Sequence, residues 1–292
     1  AEPGTNLHCQ RMSDLISEGV SFDMSSHSDH FDSIYELYEE DLPTNIIDDG
    51  RKKIKHIQAP TKKPAYFGKQ PVIAIVIDDM GISKKRTADI SSLHAPLTSS
   101  FLTYAGSLDS QIKAAQSAGH EIIVHVPMEA KTKKDAAPDI LSIGMDKAQV
   151  QKSLSKMLSK FKDVKGINNH MGSLFTEDEK RMEYVMEILK DKNIFFLDSK
   201  TSGKSKGREA AEKHEVDYVA RNVFLDNNND YNYIMGQLKI TERLARKNGY
   251  AIAIGHPKSQ TYLALKDWMQ TLDEKGIKVI HLSEIVKVLN HH

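Results

Sequence analysis

The stretch Val-Ile-Ala-Ile-Val-Ile-Asp-Asp-Met-Gly-Ile, residues 72–82, decides the fold class of this chain. Six apolar residues, most of them β-branched, run from Val72 to Ile77, a pattern typical of a strand buried on both faces of a parallel sheet. The strand ends on two adjacent carboxylates, Asp78 and Asp79. In α/β folds, ligands and metals bind at the carboxyl ends of the strands. The pair therefore fits a functional site as well as it fits a cap on the next helix.

Further strand candidates alternate with amphipathic helices after this stretch. Strands are predicted at 98–104, 121–126, 166–170, 194–198, 216–225, 250–255 and 277–282. Helices are predicted at 146–161, 176–192, 230–247 and 259–275, and Thr176 and Glu179 have the spacing of a capping box. A polar residue closes or follows most strands: Asp78-Asp79, His125, His170, Asp198, Asp226 and His256. Because a barrel takes its chemistry from the ends of several strands, we expect an α/β fold of the (β/α) barrel type.

The first part of the chain differs in composition from the rest. Residues 1–50 contain twelve acids and one base, Arg11, whereas residues 51–70 contain seven Lys or Arg and no acid. We therefore expect residues 1–66 to be an acidic extension with a basic linker, and residues 67–292 to form the barrel. The whole chain has 40 basic and 40 acidic residues, which argues against nucleic acid as the main partner. No apolar run is long enough for a membrane span, and Cys9 alone allows no internal disulfide.

Several short motifs at the predicted strand ends have residue types that suit a metal centre. They are His-Val-Pro-Met-Glu at 125–129, Gly-Ile-Asn-Asn-His-Met-Gly-Ser at 166–173, Asp-Ser-Lys-Thr-Ser at 198–202, Arg-Asn-Val-Phe-Leu-Asp at 221–226 and Gly-His-Pro at 255–257. One Asp with two His is a common ligand set for a catalytic Zn²⁺ with open positions. The chain lacks a Gly-x-Ser-x-Gly elbow, a complete P-loop and a Gly-x-Gly-x-x-Gly after the first strand, which argues against the chemistries that need them.

Taken in order and spacing, these motifs resemble those of the divergent polysaccharide deacetylases, relatives of the NodB-type carbohydrate esterases. The resemblance covers roughly residues 70–290 and rests on Ile-Asp-Asp-Met-Gly (77–81), His-Val-Pro-Met-Glu, Asn-Asn-His-Met-Gly-Ser, Asp-Ser-Lys-Thr-Ser, Val-Phe-Leu-Asp and Ile-Gly-His-Pro. It implies a distorted seven-stranded (β/α) barrel and a divalent metal, with zinc as the first candidate. It also implies a glycan partner and a location outside the cytoplasm, in the periplasm or cell envelope.

The resemblance also assigns expected roles to residues. Asp78 matches the general base, Asp79 and His125 match metal ligands, and His256 matches the general acid. Glu129 stands where the family has its second metal histidine. Either Glu129 is a ligand, or His170 takes the place, or the site is lost, and we prefer His170. The residues expected to bind substrate or tune the base are Glu129, Asn169, Asp198, Ser199, Arg221 and Asp226.

Three functions remain open at this point. The first is a metal-dependent deacetylase that removes acetyl groups from the N-acetylated sugars of a glycan. The second is a catalytically silent barrel that binds a glycan or a cell-envelope partner, and the missing second histidine favours it. The third is a metal hydrolase that acts on another substrate, such as a peptide amide.

Overall fold

The structure is a computed structural model that describes residues 70–93, 95–132 and 137–290. The predicted extension, residues 1–66, lies outside the described residues, and its role stays a prediction. The strands of the described chain are β1 (Val72–Met80), β2 (Thr98–Leu102), β3 (Glu121–Met128), β4 (Gly166–Met171), β5 (Phe195–Asp198), β6 (Tyr218–Ala220), β7 (Val223–Phe224), β8 (Tyr250–Gly255) and β9 (Lys278–Val279).

Helices follow most of these strands. They are α1 (Lys84–Ser91), α2 (Leu108–Ser117), α3 (Lys147–Leu158), α4 (Glu179–Lys192), α5 (Gly207–His214), α6 (Tyr231–Asn248), α7 (Ser259–Met269), α8 (Leu272–Lys275) and α9 (Leu282–Asn290), with a 3₁₀ turn at Phe175–Glu177. None of the helices in this part of the chain is long and apolar enough to cross a membrane.

The strands form one parallel sheet in the order β6-β5-β4-β3-β2-β1-β8-β7, and β9 pairs with β1. Residues 221–222 connect β6 and β7, which are the first and the last strand of this order. The backbone N–H of Arg221 donates to Asp198 O on β5 at 3.0 Å, and that of Asn222 donates to Ile252 O on β8 at 2.8 Å. Counted as one interrupted strand, β6 and β7 complete a ring of seven with β1 to β5 and β8. This confirms the predicted distorted seven-stranded barrel.

Alternation along β1 divides the core into two layers, because successive side chains of a strand point to opposite faces. Ile73, Ile75 and Ile77 belong to the larger cluster, which also contains the helix residues. Val72, Ala74 and Val76 belong to a smaller cluster inside the barrel, together with Leu282, Ile285 and Val286 of α9. The N–H of Leu282 donates to Thr98 Oγ1 at the start of β2. Helix α9 therefore covers the amino-terminal end of the barrel and leaves the carboxyl end for a site.

Several local predictions are wrong. The predicted strand at 216–225 is interrupted between Ala220 and Val223, and the predicted helix at 259–275 ends at Met269. The predicted strand at 277–282 is limited to Lys278–Val279, since helix α9 begins at Leu282. Thr176 does not cap a helix. Its hydroxyl donates to Gly172 O at 2.9 Å, and Asp178 caps α4 by accepting the N–H of Arg181. Residues Phe175–Glu177 form a 3₁₀ turn, and the helix begins at Glu179, two residues later than a cap at Thr176 predicts.

Candidate metal centre

The inward-facing positions become polar at the carboxyl ends of the strands. On β3 the interior residue Ile123 is followed two positions later by His125, and on β8 Ile254 is followed by His256. The same period of two places Asn168 and His170 of β4 on one face. The sheet itself therefore directs these side chains to one end of the barrel, which is the end opposite α9.

Asp79 reaches the same place by a different route. The register of β1 against β2 shifts between Ile77 and Met80, and Asp79 has a left-handed backbone with φ of 54°. This conformation is uncommon for a residue other than glycine and costs free energy. It breaks the alternation of β1, so two successive carboxylates, Asp78 and Asp79, both contact His125.

Asp79, His125 and His170 converge on one point. Oδ1 of Asp79 lies 3.3 Å from Nε2 of His125 and 3.2 Å from Nδ1 of His170. The two histidine nitrogens are 3.2 Å apart. A tetrahedral ion with ligands at about 2.0–2.1 Å holds its ligand atoms roughly 3.3 Å from one another. The buried Oδ1 of Asp79 accepts no hydrogen bond from the described residues, so the donor set and its spacing fit a divalent metal.

The carboxylates and histidines of this centre shift one another's pKa values toward the charged forms. Burial acts to raise the pKa of Asp79, but His170, His125 and His256 hold it well below its ordinary value. Burial acts to lower the pKa of His125, but the carboxylates of Asp78 and Asp79 raise it. The centre is thus a buried carboxylate that needs positive charge beside it, which a divalent cation supplies.

Asp78 lies beside the three donors. Its Oδ2 is 3.7 Å from Nε2 of His125, and its Oδ1 accepts a hydrogen bond from Nδ2 of Asn168 at 2.8 Å. Asn168 is fully buried and is not among the residues that the sequence predicts. The alternation of β4 is the signal that could have found it, because His170 faces inward and Asn168 precedes it by two positions.

His256 stands on the other side of Asp79, at the end of β8. Its Nε2 is 3.9 Å from Oδ2 of Asp79, and its Nδ1 is 3.0 Å from Oδ1 of Asp226. Burial acts to lower the pKa of His256, but Asp226 and Asp79 together raise it to about 9. Burial also opposes the charged form of Asp226, and His256 keeps its pKa below the ordinary value.

Arg221 lies at the break between β6 and β7. Its Nε donates to Ser199 O at 2.8 Å and its Nη2 to Lys200 O at 3.3 Å. Burial lowers the pKa of Arg221 to about 10, although Asp78 and Asp198 act to raise it. The guanidinium therefore stays charged at neutral pH and fixes the loop after β5. Oγ of Ser199 accepts a hydrogen bond from Asn168 at 3.0 Å.

Three other predicted site residues support loops. Oε2 of Glu129 accepts the N–H of Ile143 at 2.8 Å, so this carboxylate is not part of the metal group. Asn169 donates to Met171 O at 2.7 Å and accepts the N–H of Ser199 at 3.0 Å.

Asp198 is fully buried and accepts hydrogen bonds from Tyr218 and Ser205. A substrate contact stays a prediction for Glu129, Asn169 and Asp198, as it does for Ser199, Arg221 and Asp226.

Fold and site together define an α/β barrel with a candidate metal centre at its strand ends. The sequence model of the family described as divergent polysaccharide deacetylase matches residues 75–286, and the chain belongs to this family.

The proteins similar to this chain include two relatives and a solved structure. An uncharacterized protein of Haemophilus influenzae is 36% identical over 205 residues, which are 70% of this chain and 73% of the relative. The uncharacterized protein YibQ of Escherichia coli is 31% identical over 72% of this chain and 65% of its own length. The crystal structure of the uncharacterized protein ATU2773 from Agrobacterium tumefaciens superimposes with a TM-score of 0.72 at 25% identity, over 74% of this chain and 89% of that one.

Proposed function

We propose that this protein is a zinc-dependent deacetylase that removes acetyl groups from the N-acetylated sugars of a glycan. The observation that carries the proposal is the convergence of Asp79 Oδ1, His125 Nε2 and His170 Nδ1 at 3.2–3.3 Å, with Asp78 and His256 beside them. The family to which the chain belongs supports the substrate class. His170, on β4, supplies the second histidine ligand, which the family has at the position of Glu129.

Asp79, His125 and His170 would hold a divalent ion, which would supply a Lewis acid for the acetyl carbonyl oxygen and lower the pKa of a bound water toward neutral pH. Oδ2 of Asp78 takes the proton from the attacking water, since Oδ1 is occupied by Asn168. The protonated Nε2 of His256 gives its proton to the amine nitrogen as the carbon–nitrogen bond breaks. The products are acetate and the free amine of the sugar. Asp226 orients His256 and stabilises its charged form.

The test of this function is Asp78→Asn. The variant keeps an oxygen that can accept from Asn168, but it cannot take a proton at neutral pH. We expect acetate release from chitooligosaccharides or peptidoglycan fragments to fall by about 10²–10⁴-fold, while zinc content and melting temperature hold. Asp191→Asn, an exposed carboxylate on α4, is the matched control and should release acetate at the parental rate.

Two results would contradict the assignment. Parental acetate release by Asp78→Asn would remove Asp78 as the base. A parent protein that binds chitooligosaccharides and zinc without releasing acetate would favour the catalytically silent barrel. We also propose that the protein lies outside the cytoplasm, because the proposed substrate is a glycan of the cell envelope. Fractionation of cells tests this location.

A further inference from the structure

Asn168 connects a candidate metal ligand with the candidate base. Its side chain is fully buried at the end of β4, and four polar groups surround it. Oδ1 lies 2.8 Å from Nδ1 of His125 and 2.6 Å from Oγ of Ser100. Nδ2 lies 2.8 Å from Oδ1 of Asp78 and 3.0 Å from Oγ of Ser199. Both ends of the amide are therefore fully used.

The chemistry of these partners fixes the orientation of the amide. A carboxylate oxygen accepts hydrogen bonds, so the amide presents its NH₂ group to Oδ1 of Asp78. The amide oxygen then faces His125, and an oxygen facing Nδ1 requires that Nδ1 carry a hydrogen. In the neutral imidazole the lone pair must consequently be on Nε2. That nitrogen is the one that lies 3.3 Å from Asp79 and 3.2 Å from His170.

The amide of Asn168 contacts only one of the two carboxylate oxygens of Asp78. Oδ1 is held by Nδ2 of Asn168, whereas Oδ2 lies on the side of His125 Nε2, 3.7 Å away. A carboxylate held at one oxygen cannot rotate freely, so the other oxygen keeps its direction toward the metal centre. One buried amide thus sets both the ligand atom of His125 and the proton-accepting atom of Asp78.

We infer that Asn168 is a positioning residue that selects Nε2 of His125 as the metal-binding atom and presents Oδ2 of Asp78 as the base. The second half of this inference rests on the proposed function, and the first half rests on metal binding alone. A purely structural role for Asn168 would require only that the barrel fold. The inference requires in addition a particular protonated nitrogen on His125.

The first experiment uses the parent protein loaded with cadmium, a metal that takes the same kinds of ligand and couples to nitrogen in NMR spectra. In isotope-labelled protein we expect scalar coupling from cadmium to Nε2 of His125, with a proton retained on Nδ1. Coupling to Nδ1 of His125, or an Nδ1 without a proton, overturns the inference. Because this measurement uses only the parent protein, it requires neither a substrate nor a variant that folds.

The second experiment separates the two ends of the amide. Asn168→Asp keeps an acceptor for His125 but replaces the donor that faces Asp78 with an oxygen. We expect its zinc affinity to stay at or above the parental value, and its kcat to fall by about 10²-fold or more with little change in KM. Asn168→Leu removes both ends, and its zinc affinity should fall by about 10–100-fold. Zinc affinity is measured by titration with zinc alone.

Asn222→Asp is the matched control. Asn222 is exposed, and its Oδ1 accepts the N–H of Ile252, an acceptor role that aspartate keeps. We expect parental zinc affinity and parental kcat from it. If Asn168→Leu binds zinc as tightly as the parent, Asn168 does not position His125. If neither the parent nor any variant releases acetate, the proposed function fails. The cadmium and zinc measurements still decide the role of Asn168 at His125.

Discussion

Oδ1 of Asp226 lies 3.0 Å from Nδ1 of His256, and Oδ2 of the same carboxylate accepts the backbone N–H of His256 at 2.6 Å. Thr261 Oγ1 donates to the same Oδ2 at 2.7 Å. The carboxylate therefore holds the ring and the backbone of one residue at once. Because Asp226 is fully buried, its effect on the proposed reaction would pass through His256, whose Nε2 faces Asp79.

Asp226→Asn should impair turnover without affecting metal binding. The amide that replaces the carboxylate cannot stabilise a charged imidazole, so the proposed general acid is weakened and less well oriented. We expect kcat for acetate release to fall by about 10²-fold or more at parental zinc affinity. Asp267→Asn, on α7 and bonded to Tyr231, is the control. Parental turnover by Asp226→Asn would show that His256 needs no carboxylate partner.

The identity of the third metal ligand can be tested with a pair of variants. His170→Ala removes a nitrogen that lies 3.2 Å from both Asp79 Oδ1 and His125 Nε2, and we expect zinc affinity to fall by orders of magnitude while circular dichroism is nearly unchanged. Glu129→Gln keeps an oxygen for the N–H of Ile143, so its zinc affinity should match the parent. Zinc titration of both variants is the measurement. Loss of zinc from Glu129→Gln together with retention by His170→Ala would reverse the assignment.

Much of the barrel follows from the sequence because its strands have a strong and regular pattern. The apolar run before Asp78 and the polar residues after several strands predict both a parallel sheet and the end of it that carries the site. The sequence pattern does not show which residues of a short polar stretch face into the barrel. The sequence predicts Asn169 as a site residue, whereas the inward position of β4 is Asn168, one residue away. At the end of β5 it predicts both Asp198 and Ser199, and of these two Ser199 contacts Asn168.

The placement of Asp79 could not be predicted by alternation at all. Its neighbour Asp78 occupies the inward position in phase with Val76, so a regular strand would point Asp79 to the opposite face. The left-handed backbone of Asp79 and the shift in register between β1 and β2 direct its side chain to the same end of the barrel as Asp78. Such a departure depends on how β1 fits against β2, and nothing in the local sequence specifies it.

Gly81→Ala should destabilise the fold through the turn that follows Asp79. Gly81 has φ of 101°, and a Cβ there would lie 2.6 Å from Cβ of Ala105. We expect unfolding free energy to fall by about 1–3 kcal/mol. Gly106→Ala is the control, because φ is not left-handed there and a Cβ would meet no atom within 4 Å. Urea denaturation of both variants measures the difference. Equal midpoints would show that the turn adapts at no cost.

His120 lies far from the candidate metal centre, just before β3 at the covered end of the barrel. Its Nδ1 is 3.0 Å from Oγ of Ser99 and its Nε2 is 3.3 Å from O of Leu93. The carbonyl of Leu93 can only accept, so Nε2 carries the hydrogen and Nδ1 accepts from Ser99 in the neutral ring. Burial lowers the pKa of His120 below 6.5 and His281 lowers it further, against the carbonyl of Leu93, which raises it.

This lowered pKa predicts that His120 makes the protein less stable in mild acid. Between the pKa of the folded state and 6.5 the unfolded chain binds more protons, so the free energy of unfolding falls as the pH falls. The stability is complete above the unfolded pKa and is lost as the pH decreases toward the folded one. His120→Gln keeps a donor for Leu93 O and cannot titrate. We expect the urea midpoint of the parent to drop more between about pH 8 and about pH 5 than that of the variant. Equal drops in the two proteins would show that His120 can be protonated in the fold without cost.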